Sequence, residues 1–145
     1  MDLSRRQFMV AGAVAVAGWS VFGRAFGASP GGGDVGAIGD FAKDGVYDFH
    51  DRGVFLIRKG SRLVAQTGYC THKRARLVQN SDGTFMCKSH GSRFSEDGKI
   101  LHGPARTDLS RNGIALDEKG HVVVDTSVVF KPGEFEKPGA FVEVA

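Results

Sequence analysis

Two short cysteine–histidine pairs constrain this chain more than any other feature. Cys70-Thr71-His72 and Cys87-Lys88-Ser89-His90 each offer one thiol and one imidazole from a tight loop, with residues 73–86 between them. These are the only two cysteines in 145 residues. Three readings compete. A disulfide closes a loop of about 17 residues. A mononuclear zinc ion accepts two thiolates and two imidazoles, and such a metal-stapled module is colourless. Zinc motifs, however, usually group like with like, as Cys-x-x-Cys and His-x3-His. Each pair here mixes the two types, which suits a dinuclear cluster shared by both loops, with thiolates on one iron and imidazoles on the other.

Around these pairs the sequence reads as all-β. Val54-Phe55-Leu56-Ile57, the turn at Lys59-Gly60 and Leu63-Val64-Ala65 predict a hairpin. Asn80-Ser81-Asp82-Gly83, Glu96-Asp97-Gly98, Arg111-Asn112-Gly113 and Glu118-Lys119-Gly120 read as further turns. With 21 glycines and no long helical periodicity after residue 24, the expectation is a small antiparallel β-sandwich. Residues 45–127 form that domain, residues 28–44 a linker, and residues 128–145 an irregular extension whose Phe135 and Phe141 pack back.

The first 27 residues read as an address. Ser4-Arg5-Arg6-Gln7-Phe8 precedes an apolar run from Met9 to Phe22. The paired arginines resemble the twin-arginine export signal, which implies a protein exported folded to the periplasmic side of the bacterial inner membrane. Cleavage after Gly27 leaves a soluble protein; an uncleaved segment tethers it to the membrane through residues 8–23, although the run is short of the roughly 20 residues that span a bilayer.

The cysteine–histidine pairs resemble the Rieske motif, Cys-x-His followed by Cys-x-x-His. The resemblance extends in order through His90-Gly91-Ser92-Arg93-Phe94, Asp97-Gly98-Lys99-Ile100 and Gly103-Pro104-Ala105, and is strong from Gly68 to Leu109. It implies one 2Fe-2S cluster per chain, with Cys70 and Cys87 on the inner iron and His72 and His90 on the outer, electron-accepting iron. It also implies that Gly91 lets backbone approach the cluster, that Ser92 donates a hydrogen bond to a cluster sulfur, and that Pro104 caps the site. Catalytic residues are not implied. The expected role is single-electron transfer between redox protein partners, as a carrier or as a subunit of an oxidoreductase. No Rieske oxygenase domain, which holds mononuclear iron, is expected at this length.

The departures are informative. Quinol-oxidising Rieske subunits carry a disulfide between the loops, at positions where this chain has Ala75 and Ser89. A tyrosine that donates to a cysteine sulfur is replaced by Phe94, which places the potential below the top of the roughly −150 to +300 mV Rieske range. Lys73 and Arg74 follow the first histidine where quinol-docking subunits are apolar. The missing disulfide, the twin-arginine signal and the proline loop are also similar to the small subunit of arsenite oxidase. Lys73, Arg74, Arg76, Lys88 and Arg93 are expected to ring the cluster tip and steer an acidic partner, such as an acidic cytochrome or a larger oxidoreductase subunit. The net charge of +3 is too weak, and the basic residues too scattered, for a nucleic-acid footprint. His50, His102 and His121 lie outside the motif and are assigned no function.

Overall fold

Val54-Phe55-Leu56-Ile57 is apolar at consecutive positions because this strand is covered on both faces. In the computed structural model, which describes residues 32–144, β3 (Val54–Lys59) pairs antiparallel with β4 (Arg62–Thr67) in a register running from Val54 opposite Thr67 to Lys59 opposite Arg62. Side chains alternate across a strand. Val54, Leu56, Leu63 and Ala65 therefore enter one core with Phe41, Ile114, Val122 and Val124. Phe55, Ile57 and Val64 enter a second core with Leu77, Phe85, Phe94, Leu109 and both cysteines. Each fully buried Leu or Phe contributes about 1.5–3 kcal/mol, so the predicted hairpin is the shared wall of two cores.

The remaining strands are β1 (Gly33–Ala37), β2 (Gly45–Phe49), β5 (Leu77–Gln79), β6 (Phe85–Cys87), β7 (Arg93–Phe94), β8 (Ile100–His102), β9 (Arg111–Leu116), β10 (His121–Phe130) and β11 (Val142–Glu143). Seven strands form one sheet in the order β1-β10-β9-β4-β3-β2, with β11 beside β4, and four form a second, β5-β6-β7-β8. All pairings are antiparallel. Phe55 of the large sheet meets Phe85 of the small one at 4.6 Å between ring centroids. The all-β, two-sheet expectation holds, and the turns at Asn80–Gly83, Glu96–Gly98 and Glu118–Gly120 join consecutive strands as read.

Three sequence readings need correction. Residues 28–44 are not all linker, since β1 pairs with β10 through a register shift between Asp34 and Gly36. Gly33 and Gly36 sit at φ 118° and 130°, so glycines that read as flexible supply the backbone freedom of an irregular edge strand. Arg111-Asn112-Gly113 is not a turn but the start of β9; Asn112 is buried and its Nδ2 donates to the Thr126 and Val128 carbonyls at 3.3 Å each, where β10 bulges. Residues 128–145 are not wholly irregular: β10 runs to Phe130, and β11 adds to β4 with Val142 opposite Leu63. The aromatic residues do pack back, with Arg62 3.9 Å from the Phe141 ring centre and Arg111 4.1 Å from that of Phe135. The signal segment lies outside the described residues; among these, no helix is long and apolar enough to cross a membrane.

Candidate metal centre

The two ligand loops leave the same core at neighbouring strand ends. The first follows β4. The Cys70 amide donates to the Ala75 carbonyl and the Arg74 amide to that of Cys70, each at 2.8 Å, while the His72 amide reaches Cys70 Sγ at 3.4 Å. Arg74 takes the left-handed conformation, φ 58°, to close this turn. Beneath it the Gly68 amide donates to the Gly53 carbonyl at 2.8 Å, and a Cβ at Gly68 meets that carbonyl at 2.9 Å, so only glycine allows the approach.

The second loop joins β6 to β7. The Gly91 amide donates to the Cys87 carbonyl at 2.8 Å and the Cys87 amide to the Ser92 carbonyl at 2.9 Å. Gly91 is required by its φ of 79° rather than by crowding, since no atom lies within 4 Å of an added Cβ.

A third loop clasps both. The Ala105 amide donates to the fully buried Ser92 Oγ at 3.0 Å, and the Thr71 hydroxyl donates to the Thr107 carbonyl at 2.8 Å. These two bonds tie both ligand loops to residues 103–108, a connection that the sequence reading did not find. An isolated threonine hydroxyl carries no motif signal. Pro104 in this loop is exposed.

The donors are sorted by exposure. Cys70 and Cys87 are free thiols, each only 1% exposed. His72 and His90 are exposed and adjacent, with ring centroids 4.9 Å apart and planes at 87°. The motif residues therefore converge, with no disulfide joining the cysteines. Away from the motif, Asp34, Asp117 and His121 place three possible donor atoms within 4.8 Å of one another. Two thiolates inside and two imidazoles outside fit a dinuclear iron–sulfur cluster better than a single zinc ion.

The expected basic ring is only partly present. Lys73, Arg74, Lys88 and Arg93 are exposed. Arg76 turns inward, donating from Nη2 to the His50 carbonyl and from Nη1 to the Tyr69 hydroxyl at 3.5 Å, with its guanidinium 5.2 Å from the Tyr69 ring centre. Arg93 lies on β7 beside Asp82, whose carboxyl is held below its ordinary value first by the Thr84 hydroxyl and amide and then by Arg93. Lys73, Arg74 and Lys88 remain on the two loops that carry the histidines.

Comparison with known proteins agrees with the motif. Residues 34–126 match the family model described as the Rieske [2Fe-2S] domain. The chain belongs to that family. Rieske domains bind a 2Fe-2S cluster and carry electrons, so this chain holds an iron–sulfur electron-transfer domain. It is 31% identical over 106 residues to the ferredoxin component of the alkene monooxygenase system of Xanthobacter autotrophicus, covering 70% of this chain and 86% of that protein. It is 32% identical over 81 residues to the cytochrome b6-f complex iron-sulfur subunit of Chlorobaculum tepidum, covering 54% of this chain and 44% of the relative. The match thus spans less than half of that subunit. Among solved structures, the plasma membrane Rieske protein of Synechocystis PCC 6803 aligns at TM-score 0.47 and 26% identity over 63% of this chain and 97% of that one.

Proposed function

We propose that Cys70 and Cys87 hold the inner iron and His72 and His90 the outer iron, and that the chain passes single electrons between redox proteins on the periplasmic side of the bacterial inner membrane. The observation that carries this reading is the sorting of the donors, with two thiols sealed in the core and two imidazoles side by side at the surface. The cluster, when bound, supplies a one-electron acceptor at its histidine-ligated iron. The buried core around Phe55, Leu77, Phe85 and Phe94 keeps water from the thiolate side. Ser92 Oγ accepts from Ala105 and so keeps its own proton to donate toward a cluster sulfur. Gly91 presents backbone without a side chain at the same loop. No residue is assigned a substrate-transforming role.

Lys73, Arg74 and Lys88 beside the histidines favour an acidic partner such as a cytochrome. Residues 1–27 act as the export signal or, uncleaved, tether the protein through residues 8–23. The likeness to the Chlorobaculum cytochrome b6-f complex iron-sulfur subunit supports a second reading, a subunit of an oxidoreductase complex, for which the sequence motif suggests a quinol:cytochrome c reductase-like or arsenite-oxidase-like type. The test is to reduce the purified full chain and mix it with an acidic c-type cytochrome. A carrier transfers its electron at a rate that falls with ionic strength; a subunit co-purifies with a larger redox protein from its own host. A colourless protein that does neither defeats both readings.

A further inference from the structure

A cleft of about 700 Å³ opens against the first ligand loop. Cys70, Thr71 and Arg74 line one side of it and Asp51 and Arg52, from the turn between β2 and β3, also border it. An occupant therefore sits next to a proposed iron ligand.

The lining is rich in donors. Arg74 is exposed, with its guanidinium 5.4 Å from the Tyr69 ring centre. Among the described residues neither Arg74 nor Arg52 has a carboxylate within ion-pair distance. Arg52 gives Nη1 to the Gly32 carbonyl at 2.6 Å and lies near enough to Asp34 to help hold that carboxyl low, while its other nitrogens make no hydrogen bond among the described residues. The Tyr69 hydroxyl accepts from Arg76, and Thr67 Oγ1 accepts from the Tyr69 amide at 3.3 Å. Both hydroxyl protons remain to be donated. Acceptors nearby are already engaged: the Thr107 carbonyl by Thr71 and the Thr126 carbonyl by Asn112. Against the two guanidiniums stands one lining carboxylate, Asp51.

We propose that this cleft binds a small oxyanion of the phosphate or dicarboxylate type, and that its occupancy lowers the midpoint potential of the cluster. Arginine forks and hydroxyl donors suit such an anion. The coupling follows from linkage: a fixed negative charge beside the cluster opposes the added electron, so the oxidised protein binds the anion more tightly than the reduced one. The redox half of the proposal rests on the electron-transfer reading, and the binding half does not.

Inorganic phosphate is the probe, titrated into the cluster-loaded full chain at constant ionic strength balanced with chloride, because screening alone moves potentials. The midpoint falls and saturates. A tenfold preference for the oxidised form corresponds to a fall of about 59 mV. The paired variant R52Q/R74Q loses the saturable fall, whereas K119Q, which removes a cation outside the cleft, retains it. A shift equal to that with chloride, one that never saturates, or one that survives R52Q/R74Q overturns the proposal. Isothermal calorimetry on the loaded chain and on the chain before loading separates the two readings. A full chain that takes up no iron and sulfide on reconstitution yet gives phosphate heat, abolished by R52Q/R74Q, keeps the receptor and refutes the electron carrier; no phosphate heat from either chain refutes the receptor.

Discussion

Replacing Ser92 by alanine separates two roles of one hydroxyl. Ser92 is completely buried, and its Oγ is the acceptor for the Ala105 amide at 3.0 Å. Losing it leaves that buried N–H without a partner, a cost of about 1–3 kcal/mol. The same substitution removes the proton proposed to be donated to a cluster sulfur. Such a bond is stronger to the reduced, more negative cluster; a differential of about 1–2 kcal/mol lowers a one-electron potential by roughly 40–85 mV. The assay is a redox titration followed by visible circular dichroism, with the temperature of cluster bleaching measured on the same protein. Ser92→Ala is expected to lower both. A lower bleaching temperature with an unchanged potential refutes the sulfur hydrogen bond and leaves Ser92 only the acceptor that clasps the 103–108 loop.

Gly98→Ala is expected to destabilise the fold by about 1–3 kcal/mol, because Gly98 has φ 83° and its Cβ meets Gln66 Oε1 at 2.7 Å; denaturant unfolding checks this, and a neutral effect refutes it. The Asp34–His121 pair, 2.6 Å apart, joins β1 to β10. His121 is raised chiefly by its hydrogen bond to Asp34, and Asp34 is lowered chiefly by the same bond. The histidine's contribution is complete below its ordinary value near 6.5 and is lost as pH rises through the raised value. That of Asp34 is present above its ordinary 3.8 and is lost as pH falls through the lowered value. The stability difference between wild type and His121→Gln, followed by denaturation against pH, therefore peaks between these limits and shrinks above the raised histidine value. Lys73→Glu and Lys88→Glu are expected to slow electron transfer to an acidic cytochrome at low salt by about tenfold or more, with the difference closing at high salt; stopped-flow rates that match wild type at every ionic strength contradict a basic docking face.

What could be read in advance was whatever has a local signature. Two short apolar runs on either side of Lys59-Gly60 declared the β3–β4 hairpin, and the spacing of Cys70, His72, Cys87 and His90 marked the two loops that the fold brings side by side. Tertiary use of ambiguous residues stayed hidden. Asn112-Gly113 has the composition of a turn, yet Asn112 is consumed in bonding across the β10 bulge. Gly33 and Gly36 look like linker but serve an irregular edge strand. Arg76 reads as one more cation of the ring because charge is visible in sequence and direction is not; its partners, His50 and Tyr69, are set by the fold. The Thr71–Thr107 and Ser92–Ala105 bonds, which link both ligand loops to a third, join residues far apart in the chain and have no periodicity to announce them.

The central claim is the mixed ligand set, and it is tested most directly by electron paramagnetic resonance of the dithionite-reduced full chain, with nitrogen hyperfine couplings resolved and iron, sulfide and zinc assayed on the same sample. Equal iron and sulfide, with couplings from two imidazole nitrogens that are altered by either His72→Cys or His90→Cys, is the predicted result. A colourless, silent protein containing zinc, or a reduced iron–sulfur signal without nitrogen coupling, contradicts it.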